Sequence, residues 1–465
     1  MNQWMLYHGK RIRPSDKNLV VKIVLGIVML PFFCISISFN IQRLLKWIDS
    51  GFKDGRSIFL TPSVLFSMIV GLCVGFLLLF VIIRCMPDGI KRLQHRQSLA
   101  RMILHSGWYE SKKVQTSSLM KDASSSSKDK IVWFPKMYYR MCDGELHITV
   151  MVDMGKYQKQ LLHLEEKLES GLYCELVDRE LCESRRGAYV KYRLLYDMIA
   201  NRISIDEVSA KNGCLRLMKN MWWEYDNLPH MLIAGGTGGG KSYFILTIIE
   251  VLMRTDSFLY ILDPKNADLS DLGVVLPDVY YQKEDMIACL DRFFDLMMER
   301  QEQMKHMPEY KTGMNYSALG LPAHFLIFDE YVAFMEMLGS KENAGVLSRL
   351  KQIVMLGRQA GFFLILACQR PDAKYLGDGI RDQFHFRVAL GRMSELGYSM
   401  MFGDTKKEFF MKRIKGRGYV DTGNSAISEF YTPLVPKGHD FIRVIGELQQ
   451  ARIRSENTVT IQADD

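Results

Sequence analysis

The sequence predicts an α/β protein in three parts: two apolar N-terminal transmembrane helices, a small α/β domain, and a larger domain with a mostly parallel sheet covered by helices. Three observations carry that prediction. Two long apolar runs lie near the start of the chain. From about Ile203 onward, short apolar strands alternate with amphipathic helices. Between one such strand and one such helix sits a glycine-rich loop, "GGTGGGKS" at 235–242.

The first apolar run extends from about Leu19 to Ile41 with Lys22 near one end, and the second, from about Ile58 to Ile83, has no charge. About 20 helical residues at about 1.5 Å rise cross a hydrocarbon core of ~30 Å, so both are long enough. The first run is too long for a signal-peptide core, and no A-x-A-like cleavage site follows it. The expected layout is a tail at 1–18 and a two-span anchor at 19–83. Basic residues flank both ends: Lys10, Arg11, Arg13 and Lys17 before the spans, and Arg84, Lys91, Arg92, Arg96 and Arg101 after them. The connecting segment carries Arg43, Lys46, Lys53 and Arg56, partly offset by Asp49 and Asp54, so charge alone favours both ends inside only slightly. Overall, 60 Lys plus Arg stand against 52 Asp plus Glu. That excess suits a nucleic-acid or anionic-lipid partner, and equally the ordinary flanks of a membrane protein.

Nine cysteines are scattered without a CxxC pair or a histidine at zinc-like spacing. Cys34 and Cys73 lie in the apolar runs and Cys85 beside one, while Cys174, Cys182 and Cys368 suit a reducing cytosol. Neither a cysteine-held metal nor a disulfide is expected.

A basic, helix-compatible stalk and linker are expected at 84–130, ending in the Ser-rich "SSLMKDASSSSKDK". The small α/β domain at 131–202 follows. "IVWFPKMYYRM" and "ELHITVMV" read as strands around a turn at Asp143 and Gly144. "KYQKQLLHLEEKLES" reads as one helix with Leu161, Leu164 and Leu168 on a face, and two more strands are expected near 172–178 and 188–195. It has no evident catalytic residues and is expected to act as an adaptor. In the domain at 203–445, "HMLIAG", "FLYILD", "HFLIFD", "FFLILAC" and "FRVAL" are nearly continuous apolar runs, as in strands buried on both faces. A helix near 284–306 aligns Ile287, Leu290, Phe294 and Met297. Residues 446–465 form a polar tail.

The glycine loop is a full match to G-x-x-x-x-G-K-S/T, preceded by the strand "HMLIA" and followed by the helix-like "YFILTIIEVLM". Gly235, Gly236, Thr237, Gly238, Gly239 and Gly240 let the backbone wrap a phosphate chain at a helix N-terminus. Lys241 is expected to reach the β- and γ-phosphates of ATP, and the Ser242 hydroxyl to ligate Mg²⁺. "HFLIFDEY" at 324–331 ends a strand in two carboxylates. Asp329 is expected in the Mg²⁺ shell and Glu330 to polarise the attacking water. Since ATP is cytosolic, the N-terminus and this domain are expected in the cytoplasm of a multi-pass cell-membrane protein.

At this point the sequence resembles the FtsK/SpoIIIE branch of the HerA-type motors, over roughly residues 225–425. The resemblance rests on four blocks in order: "LPHMLIAGGTGGGKS", "LDPKNADLS", "GRQAGFFLILACQRP" and "GRGYV". It implies a RecA-like P-loop motor that assembles as a homo-hexamer and pulls DNA without reading its sequence. By that resemblance Gln369 senses the γ-phosphate, Arg358 stands at the trans-acting arginine finger, and Arg370 and Arg381 stand at DNA-facing positions with Arg392 nearby. Cys368 replaces the family's usual threonine, and Glu395 and Ser399 replace its later basic pair. Two spans and little chain after the glycine turn resemble the coupling proteins of Gram-positive conjugative elements, whose partners are a relaxase or relaxosome and transfer-channel proteins. A chromosome or plasmid partitioning translocase, a protein-secretion ATPase that does not grip DNA, and a nucleotide-gated scaffold stay open as alternatives. Intact Lys241, Asp329 and Glu330 weigh against the last.

Overall fold

In the computed structural model both apolar runs are helices, α1 (Leu19–Asp49) and α2 (Pro62–Cys85). The structure describes residues 9–49, 61–115 and 127–463, apart from 143, 153, 154, 185, 186, 237, 373, 406, 411, 424 and 425. Pro62 opens α2, where its missing N–H costs no helical hydrogen bond. Both helices are long and apolar enough to cross a membrane. They meet at small residues. A Cβ on Gly75 would lie 2.7 Å from the Val28 carbonyl oxygen, and one on Gly71 2.9 Å from the Phe32 Cα. Only glycine permits so close a backbone approach, a common way for apolar helices to pair.

The chain divides into two compact units, Met1–Cys174 with Glu180–Tyr196 and Glu175–Arg179 with Asp197–Asp465. The first contains the apolar helices, α3 (Pro87–His105), and a five-stranded sheet ordered β1–β4–β5–β7–β6. Its strands are β1 (Lys10–Arg11), β4 (Met137–Cys142), β5 (Glu145–Met151), β6 (Cys174–Ser184) and β7 (Gly187–Tyr196), with β2 (Glu110–Gln115) and β3 (Ser127–Trp133) paired separately. Two expectations need correction. Residues 127–130, read as linker, belong to β3, because pairing with β2 overrides a polar composition. The helix expected over 156–170 is two, α4 (Gln158–Leu162) and α5 (Glu165–Leu172), because His163 leaves the helical region at φ −126°, ψ 73°. Leu161, Leu164 and Leu168 are buried all the same.

The second unit begins with a small antiparallel sheet that the sequence reading missed: β8 (Ser209–Lys211), β9 (Cys214–Met218) and β10 (Met221–Trp223). Its main sheet has eight strands in the order β13–β12–β14–β15–β11–β16–β17–β18. In chain order these are β11 (Met231–Gly235), β12 (Phe258–Leu262), β13 (Val279–Tyr280), β14 (His324–Phe328), β15 (Phe362–Cys368), β16 (Phe386–Leu390), β17 (Arg417–Asp421) and β18 (Ile427–Tyr431). From β13 to β16 every pairing is parallel, and β17 and β18 add an antiparallel edge. Every residue of β11, β14 and β15 is buried, as strands covered on both faces should be. The covering helices are α6 (Lys241–Leu252), α7 (Lys283–His306), α8 (Tyr331–Met337), α9 (Ser340–Ala360), α10 (Asp378–Arg381), α11 (Glu395–Phe402) and α12 (Phe441–Ala463). On α7, Leu290, Phe294 and Met297 are buried and Ile287 packs against the same core.

From β11 the chain jumps outward to β12, works back through β14 and β15, and then crosses to β16 on the far side of β11. This is the RecA-like order. The reversal at β11 opens a crevice at the carboxyl ends of the strands, where an α/β sheet holds its ligand.

Candidate active site

The glycine loop leaves β11 into that crevice. Gly240, at φ +95°, caps α6 in a left-handed conformation that a side chain would strain. Gly239 is constrained by space instead, since a Cβ there would lie 3.0 Å from the Leu390 carbonyl oxygen at the end of β16. Thr237 lies outside the described residues. The helix therefore starts at Lys241 with its first N–H groups directed at the loop, an arrangement that favours anions.

Lys241 is buried. Its ammonium lies 3.1 Å from Asp329 Oδ1 and is also ion-paired with Glu330. Burial works against its charge, but the Asp329 and Glu330 carboxylates more than offset that and hold its pKa above the ordinary value. Burial pushes the Asp329 carboxyl up, with Lys241 pulling the other way. The Asp329 N–H donates to the Leu262 carbonyl at 2.9 Å, fixing the end of β14 against β12. The Glu330 N–H donates to Asp329 Oδ1 at 3.0 Å, and Glu330 adopts φ +45°, ψ +43°. A left-handed non-glycine residue costs about 1–2 kcal/mol. Here it turns the chain sharply between β14 and α8, so the two adjacent carboxylates both reach Lys241.

A second cation completes the cluster: Lys265 Nζ lies 3.2 Å from Glu330 Oε2. Its turn is folded by Asp263, whose carboxylate accepts from the backbone N–H groups of Lys265 at 3.2 Å, Ala267 at 2.8 Å and Ser270 at 3.1 Å. Cys368, fully buried at the end of β15, has its thiol pushed up to about 12 by burial, which keeps it an inert filler. Gln369 follows it and lines the cleft.

The cleft measures about 940 Å³. It brings together Gly235, Gly236, Gly238, Gly240, Lys241, Ser242, Asp329, Glu330 and Gln369, with Gly239 behind them in the loop. Its opposite wall was not foreseen: Arg202, Lys415, Gly416 and the stretch from Thr432 to His439. Gly416 is the first glycine of "GRGYV". It sits at φ +75°, and a Cβ on it would lie 2.1 Å from Thr432 Oγ1. The Arg202 Nε donates to the Thr432 carbonyl at 2.7 Å. Lys265 and Asp263 were also missed as site residues, although both stand in the block "LDPKNADLS".

None of the four arginines, Arg358, Arg370, Arg381 and Arg392, lines this cleft. Arg358 is exposed in the last turn of α9 and borders a separate cavity of about 290 Å³ with Gln301, Lys305 and Tyr310. Arg370 and Arg381 converge on Met400, the first through its sulfur at 3.3 Å and the second through its carbonyl at 3.1 Å. Arg392 is exposed, its carbonyl facing Gly236 of the glycine loop.

The oxygen donors suit Mg²⁺. Ser242 offers a hydroxyl at the start of α6 and Asp329 a carboxylate at the end of β14, while Mg²⁺ ordinarily takes its other positions from phosphates and water. The cluster can thus hold a nucleoside triphosphate and place a carboxylate where a water would attack.

A family model for the FtsK/SpoIIIE family matches residues 197–313. The Ftsk domain-containing protein YdcQ of Bacillus subtilis (strain 168) is 46% identical over 452 residues, 94% of this chain and 90% of that protein. The DNA translocase FtsK of Streptococcus pneumoniae is 30% identical over 225 residues, 43% of this chain and 28% of that protein. Among solved structures, the pCW3 conjugation coupling protein TcpA, in its monomer form with ATPγS, aligns at a TM-score of 0.47 and 16% identity, over 78% of this chain and 99% of that one.

Proposed function

The chain belongs to the FtsK/SpoIIIE family of P-loop ATPases, and from that premise we propose that it is a membrane-anchored, ATP-driven DNA translocase serving as the coupling protein of a conjugative transfer channel. The observation that carries the reading is the assembly of Lys241, Asp329, Glu330 and Gln369 around one cleft. In the ATP-bound state Lys241 exchanges its carboxylate partners for phosphate oxygens. That exchange frees Glu330 to orient a water and accept its proton as the γ-phosphate is attacked. Lys265, 3.2 Å from Glu330, holds that carboxylate in position until then. Gln369 touches the γ-phosphate and reports its loss. Ser242 and Asp329 would hold Mg²⁺, which when bound neutralises charge on the β- and γ-phosphates.

A homo-hexamer supplies Arg358 of one subunit to the cleft of the next. Arg370, Arg381 and Arg392 hold DNA phosphates without reading bases. The relatives named DNA translocase FtsK support DNA as the substrate, although the chain spans only 28% of the one from Streptococcus pneumoniae. The two long apolar helices support a multi-pass anchor with its N-terminus and motor in the cytoplasm. That layout suits a motor that receives DNA from a relaxosome and hands it to channel proteins.

The test is ATP turnover by the full chain in neutral detergent, with and without DNA. The proposal expects several-fold stimulation by DNA of any sequence. Turnover indifferent to DNA but raised by a secreted polypeptide would replace it with protein export.

A further inference from the structure

Within the first unit, a second cavity of about 480 Å³ lies where α2 passes into α3. Among the described residues four cations line it and no carboxylate does: Lys10 on β1, Arg140 on β4, and Arg92 and Arg96 one turn apart on α3. Arg96 is already engaged, 3.0 Å from the buried Asp16. Lys10, Arg92 and Arg140 are exposed and have no acidic partner among the described residues. β1 and β4 pair with Lys10 opposite Tyr139, so Lys10 and Arg140 stand on neighbouring strands at one end of the sheet. The facing rim is apolar, formed by Ile82, Met86 and Ile90.

The position is held firmly. The Tyr139 hydroxyl is 2.8 Å from His95 Nδ1, and the Tyr196 hydroxyl bonds the other ring nitrogen. Burial, helped by Lys91, holds His95 at a pKa of about 4, so this support adds no charge at neutral pH. Three uncompensated cations gathered in one hollow repel each other unless an anion joins them. An apolar rim at the end of a membrane-length helix says what kind of anion. A free phosphate would use only the cations, whereas a glycerophospholipid also lays the start of its acyl chains along Ile82 and Met86.

We propose that this cavity binds the headgroup of one anionic glycerophospholipid of the cytoplasmic leaflet, with its phosphate met by Lys10, Arg92 and Arg140; the proposal rests on the membrane reading above. The lipid fixes α3 and the sheet edge against the bilayer surface.

The experiment uses the full chain in neutral detergent and measures equilibrium binding of dihexanoyl phosphatidylglycerol, dihexanoyl phosphatidylcholine and inorganic phosphate. Saturable binding of the anionic phosphatidylglycerol is expected, with the other two at least about tenfold weaker. A cation at a membrane surface contributes roughly fivefold in affinity to an anionic lipid, so R92Q/R140Q should weaken binding by at least about tenfold. ATP turnover and thermal midpoint should not change, because both side chains are exposed. Should that variant unfold, Lys10→Gln carries the same expectation at about fivefold. Equal binding of the two lipids, phosphate binding as tight as lipid, or undiminished binding by a folded variant would each overturn the site. Alkaline extraction of membranes containing the full chain separates this from the premise. A chain that washes off contradicts the membrane reading itself, whereas one that stays without lipid preference contradicts only the site.

Discussion

Lys241 faces two carboxylates at once, and the consequences of removing each partner differ. Lys241→Ala removes the cation that phosphates would meet and leaves Asp329 and Glu330 buried side by side, so nucleotide binding and turnover should both be lost. Glu330→Gln keeps the shape but cannot accept a proton. It should retain ATP while turnover falls by about 10² or more. Retention on a filter and phosphate release, measured separately, distinguish the two, and parent-rate hydrolysis by Glu330→Gln would place the catalytic base elsewhere. The residues of this pair were readable in the sequence because their spacing is local: a loop after one strand, two acids after another. Lys265 was not, because its reach to Glu330 depends on a turn that Asp263 folds from three backbone N–H groups.

Among the elements, β11, α9 and β15 are stitched by one imidazole. His230, fully buried at φ +67°, accepts from the Leu364 N–H at 3.0 Å through Nδ1 and therefore donates from Nε2 to the Val354 carbonyl at 3.1 Å. Burial, with His385 adding to it, lowers its pKa to about 3. Burial and the nearby Arg300 lower that of His324, which stacks on Phe362, to about 3 as well. Above the ordinary histidine value near 6.5 both states are neutral and the contribution is fully present. Between about 6.5 and 3 the unfolded chain takes up protons that the folded one refuses, so stability falls with falling pH. Each imidazole contributes up to about 1.4 kcal/mol per pH unit in that window. Urea unfolding of the full chain from pH 7 to 5 should show this slope, and His230→Gln should reduce it. An unchanged slope would mean that His230 titrates in the folded state.

Elements with long apolar periods were legible for the same reason that they are stable: β11, β14 and β15 bury both faces. β8 and β10, of 3 residues each, are too short to show a period of two, and the Ser- and Lys-rich start of β3 is a strand only because β2 pairs with it. Likewise the cleft wall from Thr432 to His439 carries no motif, and its place is set by contacts with Gly416 and Arg202 far away in sequence.

For the whole molecule, the proposal requires assembly. A single chain leaves Arg358 exposed in the last turn of α9, outside the cleft that holds Lys241. An arginine donated by a neighbour can raise phosphoryl-transfer rates by on the order of 10³ or more. Arg358→Ala and Lys241→Ala should each be inactive alone. Mixed under demonstrated subunit exchange, they should regain ATP turnover, because some interfaces then join an intact loop to an intact arginine. A mixture that exchanges subunits and stays inactive would confine Arg358 to its own chain.

Displacement of a third strand from a triplex measures movement along DNA without reference to sequence or partner. With ATP, the full chain in detergent should strip the third strand from duplexes of unrelated sequence, faster with longer lead-in duplex, and Glu330→Gln should strip none. ATP hydrolysis at an undiminished rate with the third strand left in place would contradict a DNA translocase.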